Sequence, residues 1–117
     1  MITREEIISY IKQKYQANPE YTFAKYPNYC AFKNTKGKWF CLLMDLTVDK
    51  LGQQGDNVVD IINVKVNPEL NDILKQKKGF YTAYHMNKKH WLSINLHEVD
   101  ELKLVTDLID DSYELTM

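Results

Sequence analysis

Tyr84 to Leu96 reads YHMNKKHWLSINL and brings His85, Asn87, Lys88, Lys89, His90 and Trp91 into close succession. Imidazoles can move protons or bind metals, and lysines beside an aromatic ring can hold an anion. Several of these chemistries lose support at once. Two histidines that share a metal on one helix face are four apart, whereas His85 and His90 are five apart, and Lys88 and Lys89 between them would repel a cation. Nucleophilic catalysis would draw on Ser93, Cys30 or Cys41, and none sits in a nucleophile elbow or a Cys/His signature. GQQG, at Gly52 to Gly55, lacks the spacing of a phosphate loop or a dinucleotide fingerprint. His85 and His90 are thus the only acid/base candidates. No reaction is indicated, and neither a cofactor nor a metal is expected.

The charge distribution points elsewhere. Tyr21 to Met44 contains no Asp or Glu but carries Lys25, Lys33, Lys36 and Lys38; Ile73 to His97 is also acid-free, with Lys75, Lys77, Lys78, Lys88, Lys89 and all three histidines. Nine of the fifteen basic residues fall in these two stretches, while Glu98 to Glu114 holds seven acids against Lys103 alone. A net charge of −1 therefore hides a dipole. Lysines with Tyr81, Tyr84 and Trp91 among them suit a surface that grips phosphates and rests rings against sugars or bases. Lysines at turns also keep loops solvated and strand edges apart. Convergence of the two stretches on one face would favour binding; opposite placement would remove the charge argument.

These residues need elements to hold them. Thr3 as N-cap, Glu6 as its capping-box partner, and Ile7, Ile8, Ile11 and Tyr15 predict a helix over Thr3 to Tyr15. NPEYTFAKYPN reads as loop. YCAFKN and KWFCLLMDL read as strands around the turn TKGK, and Trp39 to Leu46, apolar on both alternating faces, as a central strand covered on both sides. TVDKLGQQGDN is loop and VVDIINVKV a third strand. Asn67 as N-cap, Pro68 at the first helical position, a stripe of Leu70, Ile73 and Leu74, and Gly79 beyond a lysine-rich last turn predict a short helix. FYTAYHM and HWLSINL predict two more strands around NKK, with YHMNKKH equally readable as a helical turn. Val99, Leu102, Val105, Leu108 or Ile109, and Tyr113 space an amphipathic final helix. The expected architecture is α+β, an antiparallel sheet of about five strands with N-terminal, middle and C-terminal helices packed on it. In the last strand Leu92, Ile94 and Leu96 face the core, so Trp91 shares a face with Ser93 and Asn95, either as a contact residue or as cover under a loop.

A chain of 117 residues, 44% apolar and with only four glycines and three prolines, is expected to fold throughout as one domain, 1–117. Charges in the first turns argue against a signal peptide, and no run approaches the roughly 18 apolar residues of a membrane span, so a cytoplasmic location without membrane contact is expected. Cys30 and Cys41 face each other across a hairpin; a disulfide is conceivable, but buried free thiols are the expected state in a reducing compartment.

HMNKKHW, the closing LIDDSYELT, the FAKYPNYCAFKNTKGKWFCLLMDL hairpin and the NVKVNPEL strand-to-helix step together resemble the MmcQ/YjbR family over nearly the whole chain. That resemblance implies a CyaY-like fold and a double-wing, DNA-binding role, with the hairpin around Lys36 and Gly37 as one wing. The first expectation is a non-enzymatic DNA-binding protein that holds phosphates through Lys33, Lys36, Lys38, Lys88 and Lys89, with His85, Asn87, His90 and Trp91 in closer contact. The alternative is a module for a protein partner or a small anionic ligand, with His85, Asn87 and His90 lining a pocket. An iron role is disfavoured, since helix 1 offers only Glu5 and Glu6 beside Arg4.

Overall fold

Thr3 opens the first helix with the reciprocal cap its sequence predicts: its hydroxyl accepts from the Glu6 N–H, and the Glu6 carboxylate accepts from the Thr3 N–H at 3.0 Å. In the computed structural model, which describes residues 1–117, α1 spans Arg4–Tyr15 and buries Ile7 and Ile11. β1 (Cys30–Lys33), β2 (Trp39–Thr47), β3 (Val58–Lys65), α2 (Pro68–Leu74), β4 (Phe80–Thr82), β5 (Trp91–Asn95) and α3 (Leu102–Thr116) follow. The strands form one antiparallel sheet in the order β1-β2-β3-β5-β4, an α+β fold.

Three boundaries differ from expectation for local reasons. α2 ends at Leu74, so Lys75, Lys77 and Lys78 lie in the turn beyond it rather than in its last turn. That turn closes at Gly79, where φ is +93° and an added Cβ would sit 2.5 Å from Val99 Cγ2. β4 stops at Thr82, and two residues on the Tyr84 N–H bonds the Ser93 side chain. Leu102 is exposed; the buried face of α3 is Val105, Leu108 and Ile109 with Thr106, Ser112 and Thr116.

α1 and α3 cover one face of the sheet, where Cys30, Phe32, Cys41, Leu43, Ile62, Val64, Leu92 and Ile94 meet Ile7, Ile11, Val105, Leu108 and Ile109. The other face carries Leu42, Met44, Leu46, Val59 and Ile61, and its cover comes from Phe23, Tyr29, Leu51, Tyr84 and Met86 outside the strands and from Trp91 of β5. β2 is accordingly buried on both sides, as its apolar run requires. Cys30 and Cys41 are free thiols in the helix-side core, and burial pushes both thiol pKa values up, which keeps them protonated and inert.

β2 carries one irregularity with large consequences. Phe32 pairs with Cys41 but Lys33 pairs with Trp39, so Phe40 is an extra residue in the ladder. The bulge turns Phe40 to the helix side, edge-on to Tyr15 and Tyr113, and sends Trp39 to the opposite face beside Phe23. Pairing between β2 and β3 begins only at Cys41 and Val64. The fully buried Ser112 hydroxyl fills the gap: it donates to the Phe40 carbonyl and accepts from the Lys65 N–H at 2.8 Å. One residue on, Tyr113 stacks on Tyr15 at 4.0 Å. Asp110 accepts from Tyr15 at 2.6 Å, from Tyr10 at 2.8 Å and from Lys14 at 2.7 Å, which ties α3 to α1. Partial burial alone would raise the Asp110 pKa, but the hydrogen bonds from Lys14, Tyr15 and Tyr10 outweigh it and hold the carboxyl below the usual carboxylate range.

Ser112→Ala is expected to lower the urea midpoint by an amount equivalent to about 1–3 kcal/mol with an unchanged m-value, because two buried backbone groups lose their partner; a shift no larger than that of Lys103→Ala, at an exposed site, would contradict the role given to the hydroxyl. For Asp110→Asn the depressed native pKa sets the sign: the wild-type advantage is present at neutral pH, persists down to about pH 4, and is lost as pH falls further and the carboxyl protonates. Thermal melts of both proteins from pH 7 to pH 2 should show the gap closing, and a constant gap would show that the charge is not what α1 binds.

Candidate functional site

The motif-bearing segment from Ala83 to His90 is irregular backbone laid over a sheet, so its polar groups must find partners individually. Asn63 and Ser93, directly paired across β3 and β5 and both fully buried, provide the first set. Tyr84 N–H donates to Ser93 Oγ at 2.9 Å, Ser93 Oγ donates to Asn63 Oδ1, and Asn63 Nδ2 donates to the Tyr84 carbonyl at 2.9 Å. This closed ring fixes Tyr84 over the sheet. His85 then reverses the chain in the left-handed conformation, φ +57°, with its ring stacked on Tyr84 at 4.0 Å. Asn87 Oδ1 accepts from the Lys89 and His90 N–H groups, and its carbonyl accepts from Trp91 N–H at 3.0 Å. From α2, buried Asn71 donates to the carbonyls of Lys88, Lys89 and Trp91 at 3.0–3.1 Å. Val66 N–H donates to the His90 carbonyl at 2.9 Å.

Two adjoining clefts lie on this side of the sheet. The narrower, about 330 Å³, is walled by Phe23, Tyr26, Tyr29, Trp39, Tyr84 and His85 over a floor of Leu42, Met44 and Asn63. The wider, about 460 Å³, is lined by Lys38, Trp39, Lys65, Met86 and Trp91 and by the end of α3 from Leu115 to Met117. Trp39 and Met86 belong to both, and neither is lined by an Asp or Glu. Burial first, and then the neighbouring Tyr84 and Tyr26, push the Tyr29 phenol up to about 12, so this wall stays uncharged at neutral pH. The two acid-free stretches of the sequence meet here: Phe23 to Met44 comes from the first and Tyr84 to Trp91 from the second. The acidic helix lies behind, with Asp110 engaged by α1 and Asp107 by Lys103.

Of the residues singled out by sequence, Lys38, His85 and Trp91 line these clefts. Trp91 is half-buried; it covers the second sheet face, as one of its two expected roles had it, and it also lines the wider cleft. Lys33 pairs with Glu20 at 3.1 Å, and Lys36 donates to the main-chain oxygen of Met117 at 2.5 Å. Lys88 reaches the Ala83 carbonyl at 3.4 Å, Lys89 is exposed, and His90 is half-buried, its main chain held on both sides. The side-chain oxygen of Asn87 is engaged in the turn. His97, the third histidine, sits away from the clefts against Asp60 at 3.3 Å. No group of three or more His, Cys, Asp or Glu side chains is placed to hold a metal ion. Sequence reasoning did not find Lys65, Trp39 or Tyr26. The alternation of β3 could have given Lys65, which pairs with Trp91, but Trp39 reaches this face only through the bulge.

Asn71→Ala should release the segment that Asn71 holds: a loss of about 1–3 kcal/mol in stability, with faster amide exchange at Lys89, His90 and Trp91. Unchanged exchange at those three amides would show that the Asn71 amide is not the fastening.

The chain is 40% identical to the uncharacterized protein YyaQ of Bacillus subtilis over 117 residues, 99% of each chain. It is 39% identical over 61 residues to the uncharacterized protein YbdF of Escherichia coli O157:H7, about half of each. A crystal structure of a protein from Pseudomonas syringae, 41% identical, superposes with a TM-score of 0.95 over 99% of this chain and 100% of that one. Deinococcus radiodurans protein DR2400, 23% identical, shares the fold, with a TM-score of 0.75 over 98% of this chain and 78% of that one. Residues 12–115 match the family model described as YjbR, and the chain belongs to the YjbR family.

Proposed function

We propose that this protein is a cytoplasmic, non-enzymatic DNA-binding protein whose contact surface is the loop-covered face of the sheet. The observation that carries the reading is the meeting of two acid-free stretches around one pair of clefts with Lys38, Lys65, Trp39 and Trp91 in their walls. Cations beside exposed rings, with no Asp or Glu side chain among them, make a surface complementary to a phosphate backbone that carries bases. Lys36, Lys88 and Lys89 are exposed and are the further phosphate contacts of this reading, with Lys33 of the wing, where Glu20 offsets its charge. Asn34 stiffens that wing: it accepts from the Lys36 and Lys38 N–H groups and donates to Thr116 of α3 at 3.0 Å, so Lys38 is presented from a pinned turn. His85, Asn87, His90 and Trp91 form the adjoining contact segment.

Both tryptophans of the chain line the wider cleft, so intrinsic fluorescence reports occupancy directly. Titration with DNA at roughly 50 mM salt should quench this emission, and the affinity should fall as salt rises to about 200 mM. Lys38→Gln with Lys65→Gln should weaken binding and flatten the salt dependence by about one counterion per lysine, whereas Lys103→Gln on the helix side should change neither. Absence of binding at low salt, or an affinity indifferent to salt, rejects the reading.

A further inference from the structure

Resting on the DNA-binding reading, we infer that the narrower cleft is a pocket for one unpaired base and that the preferred ligand is single-stranded DNA. The cleft is built for a flat ring. Tyr26 stacks on Tyr29 at 4.5 Å, His85 stacks on Tyr84 at 4.0 Å, and Trp39 leans against Phe23 at 5.8 Å, so three pairs of rings surround one space. About 330 Å³ is the size of a small-molecule pocket rather than of a duplex groove contact. Its floor carries one polar side chain. Asn63 is fully buried, and its amide is bound to the Tyr84 carbonyl and to Ser93, which holds the floor in place beneath the rings.

The surroundings favour a strand over a free ring. The wider cleft continues from the narrower through Trp39 and Met86 and adds Lys38 and Lys65, which gives the sugar-phosphate chain on either side of the inserted base a cationic path. A base inside a duplex cannot enter a cleft walled on several sides without leaving its stack and its partner, a cost an unpaired base does not carry. The usual means of reading a duplex is also missing from this face, since α1 and α3 both pack on the opposite side of the sheet.

Tyr26 provides the test because it is 47% exposed, so replacing it leaves the core intact. Binding of oligothymidylate, of the same length of duplex, and of thymidine monophosphate is measured by tryptophan quenching for wild type, Tyr26→Ala and Tyr26→Phe. The expected result is at least a tenfold preference for the single strand, about a tenfold loss of that preference in Tyr26→Ala, and recovery in Tyr26→Phe. Equal affinity for both strand forms, or full single-strand affinity in Tyr26→Ala, overturns the base pocket while salt-dependent DNA binding stands. Thymidine monophosphate binding as tightly as the oligonucleotide overturns the strand in favour of a free nucleotide. If no DNA of either form binds at low salt, the DNA-binding reading fails and the pocket assignment falls with it.

Discussion

The bulge at Phe40, held open by the Ser112 hydroxyl, is the constraint on which the rest of the molecule turns. One extra residue in β2 inverts the alternation at the end of the strand, and inversion puts the two large side chains there to opposite uses. Phe40 goes to the helix side and becomes the ring against which Tyr15 and Tyr113 pack, joining α1, α3 and the sheet at one point. Trp39 goes to the other side and becomes the wall shared by both clefts. A bulge leaves main-chain groups without ladder partners, and inside the protein that would cost more than the rings return. Ser112 removes the penalty with one oxygen that donates to one strand and accepts from the next. Only a small hydroxyl side chain can do this from a helix packed so closely on the sheet.

The second face poses the same problem on a larger scale. Helices satisfy their own backbone and can simply be laid on a sheet, whereas loops cannot. Here short polar side chains, buried and placed on regular elements, substitute for the missing ladders: Asn63 and Ser93 from the strands hold Tyr84, and Asn71 from α2 holds the chain at Lys88, Lys89 and Trp91. Such polar groups are tolerable in a core only when nearly every donor and acceptor is used, and Asn71 Oδ1 is the one oxygen here left without a partner. A loop fastened this way is fixed in shape while its outward side chains stay free for contact.

The elements themselves were legible because they follow periods. α1 shows its capping box, β2 and β3 their apolar runs, and α2 its Asn-Pro start, and each is found within a residue or two of its expected place. What was not legible is what breaks a period. Nothing in KWFCLLM announces that Phe40 is extra, so Trp39 could not be assigned a face. In FYTAYHM the strand pattern continues past the point where a tertiary partner, Ser93, takes the Tyr84 N–H. Leu102 fits the helical stripe by spacing yet lies at the first turn, beyond the reach of the sheet. The conspicuous motif misleads in the same way: HMNKKHW looks like chemistry, but the side chain of Asn87 and the main chain of His90 are engaged in holding the turn. LIDDSY is its counterpart on α3, where Asp110, Ser112 and Tyr113 each have a packing partner. Both motifs are instructions for fastening backbone, and for that reason they mark the fold more clearly than the work.

Charge placement follows from the same division of labour. Carboxylates on α3 serve the helix side, where Asp110 gathers Tyr10, Tyr15 and Lys14, and each acid used there is an acid absent from the sheet's other face. Lys38 of the wing and Lys65 of β3 meanwhile line clefts that have no Asp or Glu side chain in their walls. A chain with net charge −1 thereby acquires a local field its total does not reveal. The near-neutral total still matters. Long-range attraction for a polyanion is weak in such a protein, so the proposed binding of a strand draws on short-range contact, and rings in an enclosed cleft supply more of that than two lysines at its edge can. On that proposal, stacking rather than charge sets the selectivity.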